Sequence, residues 1–121
     1  MMRNLLLFFV AACSTVSAAE RDACQAVVAR EAECTDAFIP MLVDARIKLD
    51  RPAGIRDGDR GELIVAAKAE WLEDSKPAAV ERTCSKKKVA EATAAAYGKC
   101  LKQTTCDAFV KCVAPLVEQT L

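Results

Sequence analysis

Cys24, Cys34, Cys84, Cys100, Cys106 and Cys112 are the residues of this chain with the most chemistry open to them, and their spacing narrows it. The intervals between them are 9, 49, 15, 5 and 5 residues. Structural zinc sites and thiol redox centres both bring cysteines together as CxxC pairs, and the chain has none. An even set of cysteines in a short exported chain forms a disulfide framework instead, so three disulfides are expected. Six cysteines can pair in fifteen ways, and the spacing leaves that choice open.

The seventh cysteine, Cys13, belongs to a different segment. Met1-Met2-Arg3-Asn4 is a short positive region, Leu5 to Cys13 is an apolar run of nine residues, and Ser14 to Ala19 is a tail of small side chains. Ser17-Ala18-Ala19 fits the small-x-small rule for a signal peptidase. Residues 1–19 are therefore expected to be a signal peptide and residues 20–121 a single disulfide-linked domain. Nine apolar residues rise only ~15 Å as a helix, about half of a bilayer core, so no membrane span is expected. Val10-Ala11-Ala12-Cys13 resembles a bacterial lipobox, which supplies the alternative: a leader of residues 1–12 with Cys13 lipidated. The first route leaves the protein secreted or periplasmic; the second anchors it to a membrane surface.

Little else in the chain supports catalysis. There is no histidine, which removes the usual general base, the commonest zinc ligand and the c-type haem ligand. Ser75 and Ser85 therefore have no imidazole to activate them. The carboxylate pairs Glu31/Glu33 and Glu73/Asp74 read as solvated charge on polar helix faces. Asp57-Gly58-Asp59 resembles the opening of a calcium loop, but the twelfth position of that loop is Lys68 where a bidentate acid is needed. The plainer reading is a turn followed by a helix cap. Neither a metal nor a cofactor is expected. The chain carries 17 basic and 17 acidic residues, an even balance unlike the basic excess that nucleic acid requires. Lys86-Lys87-Lys88 is the one basic run, read either as a solvated helix face or as a contact for an anionic surface.

The elements that must position these residues are helical. The chain is rich in Ala, Glu, Lys, Arg and Leu, with four glycines and four prolines. Its 53% hydrophobic content owes much to 23 alanines, which bury little area each, so the core is thin and cross-links must support it. A first helix is expected over 21–38, with Cys24, Val27, Val28, Cys34 and Phe38 on one face. Cys24 and Cys34 lie ~80° apart around such a helix and can face the same neighbour. Pro40 should kink or restart the helix, which continues through Ala45. Residues 44–50 alternate charged and apolar, a pattern that also suits a strand, but no second strand is available to pair with it.

Residues 51–58 read as a loop, from Pro52-Ala53-Gly54 and Asp57-Gly58. A helix should follow Asp59, with Leu63, Ile64, Ala67, Trp71 and Leu72 buried, and stop before Ser75-Lys76-Pro77. Another should cover 77–102 with a break near Cys84-Ser85, facing Val80, Cys84, Val89, Ala92, Ala96 and Cys100 inward. Thr104 or Thr105 should cap a last helix. The expected class is all-α, a small bundle of four to five helices stapled by three disulfides.

Cys24-x9-Cys34 resembles one half of the twin CX9C helical-hairpin family. The resemblance covers about 11 residues and implies disulfide stapling between helices; the second CX9C is absent, so the family itself does not carry over. Cys34-Thr35-Asp36-Ala37-Phe38 and Thr105-Cys106-Asp107-Ala108-Phe109 are also locally alike. The resulting expectation is a non-enzymatic exported protein that binds a protein or cell-surface partner. The alternatives are a helical bundle that binds a small molecule or lipid, and an envelope stress chaperone or enzyme inhibitor.

Overall fold

The computed structural model describes residues 16–86 and 91–121, which form six α-helices and no strand. They are α1 (Ala18–Glu33), α2 (Thr35–Leu49), α3 (Arg60–Asp74), α4 (Pro77–Lys86), α5 (Glu91–Cys100) and α6 (Cys106–Thr120), with one 3-10 turn at Ile55–Asp57. The class is all-α as expected, with one helix more than the upper count. The apolar leader and Cys13 lie outside the described residues, as do Lys87, Lys88 and Val89.

The first break falls six residues before the expected one. Cys34 leaves helical geometry (φ −105°, ψ 25°) while its N–H still donates to the Arg30 and Glu31 carbonyls. Its own carbonyl then accepts from Ala37 and Phe38, so α1 and α2 meet at this residue without a spacer. Pro40, expected to interrupt the chain, sits inside α2. A proline in a helix interior costs ~3 kcal/mol, yet Phe38, Ile39 and Val43 around it are all buried, and that packing holds the helix together. Residues 44–49 continue the helix, which ends at Asp50 in a left-handed conformation (φ 50°) with Arg51 N–H bonded back to the Arg46 carbonyl.

α2 and α6 run parallel and make the core. Phe38, Ile39 and Val43 meet Phe109, Val110, Val113 and Val117, all buried, in one cluster. The Cys34–Cys106 disulfide ties the two helices where both begin, and Lys48 Nζ reaches Glu118 Oε1 (3.2 Å) near where both end. Arg51 adds a bond to the carbonyl of Leu121 there. The two locally alike segments are thus the openings of the two core helices, joined by a bridge. Thr105 caps α6, its Oγ1 accepting from Ala108 N–H (3.2 Å).

α3 returns antiparallel to α2 across the loop at 50–59. Gly54 takes φ 89° there, the left-handed region that suits glycine. Arg56 closes the turn by donating from Nε to the Ile47 carbonyl (2.8 Å) and from Nη2 to that of Lys48 (2.6 Å). Asp59 Oδ1 caps α3 through Glu62 N–H (2.9 Å), so Asp57-Gly58-Asp59 acts as a turn and cap. Arg60 grips Asp44 with two bonds of 2.8 and 3.0 Å, and that contact lowers the Asp44 pKa. At the other end Phe38 and Trp71 pack with ring centroids 5.2 Å apart and planes tilted by 53°.

The remaining disulfides are Cys24–Cys84 and Cys100–Cys112. Cys24 and Cys34 thus reach two different helices, α4 and α6, although their spacing would allow one shared neighbour. The helix breaks at Cys34, so the two cysteines do not lie on one continuous helical face. Glu81 reinforces the α1–α4 edge by accepting from Gln25 Nε2 (3.1 Å). In the 77–102 stretch Cys84 and Cys100 are buried, Val80 and Ala96 are half-buried, and Ala92 is exposed. Leu72, expected to be buried on α3, is 55% exposed, and Val65 on the same face is 70% exposed.

Candidate functional site

All six cysteines of the domain are consumed in bridges, so they build the scaffold and offer no thiol. Among the described residues no group of three or more His, Cys, Asp or Glu is placed to hold a metal ion. No described helix is long and apolar enough to cross a membrane. Ser75 and Ser85 spend their hydroxyls locally, on the Leu72 carbonyl (3.4 Å) and on Glu81 Oε1 (3.3 Å). Lys86 is exposed in the last turn of α4, where its charge suits the helix dipole.

What the helices do enclose is a cavity of about 410 Å³, partly open to solvent. Its walls are helical stripes. α1 contributes Glu20, Ala23, Cys24, Val27, Val28 and Glu31, a run at i, i+3, i+4, i+7, i+8 and i+11 along its whole length. α2 contributes Phe38, Leu42 and Arg46 at intervals of four, and α3 contributes Ala67, Glu70, Trp71 and Asp74. α5 supplies Ala94, Tyr97 and Gly98, and Val117, Thr120 and Leu121 close the far side. In a bundle with a filled core such stripes meet one another. Here Val27, Val28, Leu42, Trp71, Tyr97 and Leu101 remain only half-buried because they face a shared space.

The expected core stripe of the first helix, Cys24, Val27 and Val28, is therefore a cavity wall. Two of the carboxylates read as solvated also belong to it. Glu31 is 8% exposed and lines the cavity with Asp74, whereas their neighbours Glu33 and Glu73 are on the surface and paired with Arg30 (3.0 Å) and Lys76 (2.8 Å). The one cation among the described lining residues, Arg46, faces Glu70 at 3.9 Å.

Gly98 sits inside α5 without a positive φ, and a Cβ built there meets nothing within 4 Å. A glycine in a helix interior costs ~1 kcal/mol relative to alanine. Neither the backbone nor any neighbour demands it, and its effect is to widen the cavity.

Tyr97 reports the electrostatics of this space. Burial first, and then the negative charge of Glu31, hold its hydroxyl above the ordinary value of 10.0. A group whose folded pKa is raised contributes stability that is complete below the unfolded value and is lost as pH rises through the folded one. Stability conferred by Tyr97 should thus decline as pH climbs above 10. Tyr97 is the only tyrosine in the chain, so phenolate absorbance reads it alone. The native protein should titrate at higher pH than the protein in denaturant, and Tyr97→Phe should lose less stability than the parent over the same alkaline range. Coincident native and denatured titrations would show that the hydroxyl feels neither burial nor Glu31.

Comparison with known protein families, with curated proteins and with solved structures finds no match to this chain.

Proposed function

We propose that this is a non-enzymatic, exported binding protein that carries an apolar small molecule or acyl chain between its helices. The observation that supports this reading is the cavity of about 410 Å³, walled by apolar stripes from several helices, within the ~300–1,000 Å³ range of small-molecule sites. A partial void is destabilising in a chain with a thin core, because lining atoms lose contacts on one side. An apolar occupant restores those contacts. Three disulfides explain how the walls stay apart without collapsing when empty, and they fit an oxidising compartment reached through the leader at 1–19. Lipidation at Cys13 would instead tether the same carrier to a membrane surface.

The test uses Trp71, the only tryptophan, which lies in the cavity wall. Titration with a neutral apolar naphthalene dye should quench Trp71 emission while dye fluorescence rises and saturates at one dye per chain. Native mass spectrometry of protein purified from its own source should show a co-purifying apolar molecule. Dye that leaves Trp71 unquenched would sink the proposal.

The contact with a protein partner expected from the sequence keeps one observation in its favour. Val65 and Leu72 are exposed one heptad apart on α3, outside the cavity, and together present a small apolar face. Replacing both with serine should leave dye binding intact and abolish any partner captured through that face.

A further inference from the structure

We propose that the outer face of α3 pairs antiparallel with the same face of a second copy of this chain, forming a weak two-fold dimer. At ~100° per residue, Leu63, Ile64, Ala67 and Trp71 share the inner side of the helix, and all four pack in or against the core. The opposite side of a surface helix is normally polar. Here it carries Val65, Ala66, Ala69 and Leu72, all exposed, Val65 by 70% and Leu72 by 55%. A helix that is apolar on both sides is normally covered on both. None of these four residues lines the cavity, so the dimer is independent of the carrier reading.

Charge at the two ends of that face identifies the second copy as its occupant. Glu62 is exposed at the N-terminal end, and Lys76 follows the C-terminal end, where its Nζ is held on the outer face by Glu73 (2.8 Å). The two lie ~21 Å apart along the helix, with Val65, Ala69 and Leu72 between them. A face that is acidic at one end and basic at the other is complementary to itself when turned end for end. A two-fold axis at Ala69 puts Glu62 of each copy beside Lys76 of the other, and Val65 beside Leu72. It also brings the two Ala69 methyl groups to the crossing, where small side chains let helices approach closely. The Lys76–Glu73 pair does not compete, because it is exposed and an ammonium keeps further donors for a second carboxylate. One helix face per copy falls short of the ~1,200 Å² of a stable interface, so the dimer is transient.

Sedimentation velocity of the disulfide-intact protein, from ~5 μM to ~1 mM, should show a monomer converting to a dimer with a Kd on the order of 100 μM. Val65→Ser with Leu72→Ser should weaken that association at least ~30-fold. Both side chains are exposed, so the melting temperature of dilute protein should not change. Glu62→Lys and Lys76→Glu should each weaken the dimer about fivefold alone, and the two together should restore it. Position 69 reads the geometry. The six cysteines of the domain are all bridged, so Ala69→Cys adds its only free thiol, and mild oxidation should link two copies through it. Lys111→Cys, exposed on α6, should stay unlinked under the same conditions. A chain that remains monomeric throughout that range, even one that captures a different protein through this face, would overturn the proposal. So would a dimer that survives the serine substitutions, or oxidation that links both introduced thiols equally.

Discussion

Replacing Cys34 and Cys106 together by alanine is expected to lower the free energy of unfolding by about 4 kcal/mol. The bridge spans 72 residues, and closing so long a loop removes a large share of the unfolded chain's freedom. Whole domains are typically stable by only ~5–15 kcal/mol, so this loss approaches the total for a chain of this size. The Cys100–Cys112 bridge spans 12 residues, and its removal should cost about 3 kcal/mol. Urea unfolding of the two double-alanine variants gives the comparison directly. The slope against denaturant should also steepen when the long bridge is lost, because the unfolded state expands. Equal costs for both bridges would mean that local packing around the sulfurs, and not chain entropy, dominates.

The same variant bears on the cavity. α1 contributes one wall, and among its residues only Glu31 is buried. Its attachment rests on Cys24–Cys84 to α4, on Gln25 and Arg21 against Glu81 of the same helix (3.1 and 3.8 Å), on the turn at Cys34 and on Arg30, which reaches the Gln103 carbonyl (3.2 Å) and lies 5.6 Å over the Phe109 ring. Without the bridge at Cys34 the wall is held by these side-chain contacts and one disulfide to α4. Ligand affinity should then fall further than loss of the α2–α6 core alone would explain.

These helices were legible in the sequence to different depths, for physical reasons. α3 and α6 announce themselves through local chemistry: Asp59 and Thr105 cap them, and their apolar periodicity follows at once. The break at Cys34 had no local signal, since neither glycine nor proline marks it. It coincides with a bridge to a residue 72 positions away, a tertiary feature that local residue types do not signal, whereas Pro40 stays inside α2. The cavity was half visible. Periodicity marks the stripe Cys24, Val27 and Val28 as inward-facing, but it cannot distinguish a side chain that meets a neighbour from one that meets a void. Its flanking acids carried the missing hint. Glu20 and Glu31 fall on the same face as the apolar residues, where a solvated surface would have put them opposite.

Gly98→Leu should make the protein more stable and abolish its ligand binding. The glycine costs α5 ~1 kcal/mol of helix propensity, which leucine recovers. Its Cβ position is open to 4 Å and Gly98 lines the cavity, so the new side chain is expected to extend into that space, where its burial adds further stability. The same carbons occupy the volume that the ligand needs, and affinity should fall about a hundredfold, or ~2.7 kcal/mol. Gly98→Ala provides the control: it gains most of the propensity with a single methyl group, so its melting temperature should rise while binding falls much less. Most lesions that impair binding also impair folding, whereas here the two readouts are required to move in opposite directions. A Gly98→Leu protein that bound the dye normally would place the ligand elsewhere. One that was destabilised would mean that the space beside Gly98 is not free to be filled, and the carrier reading would lose its structural basis.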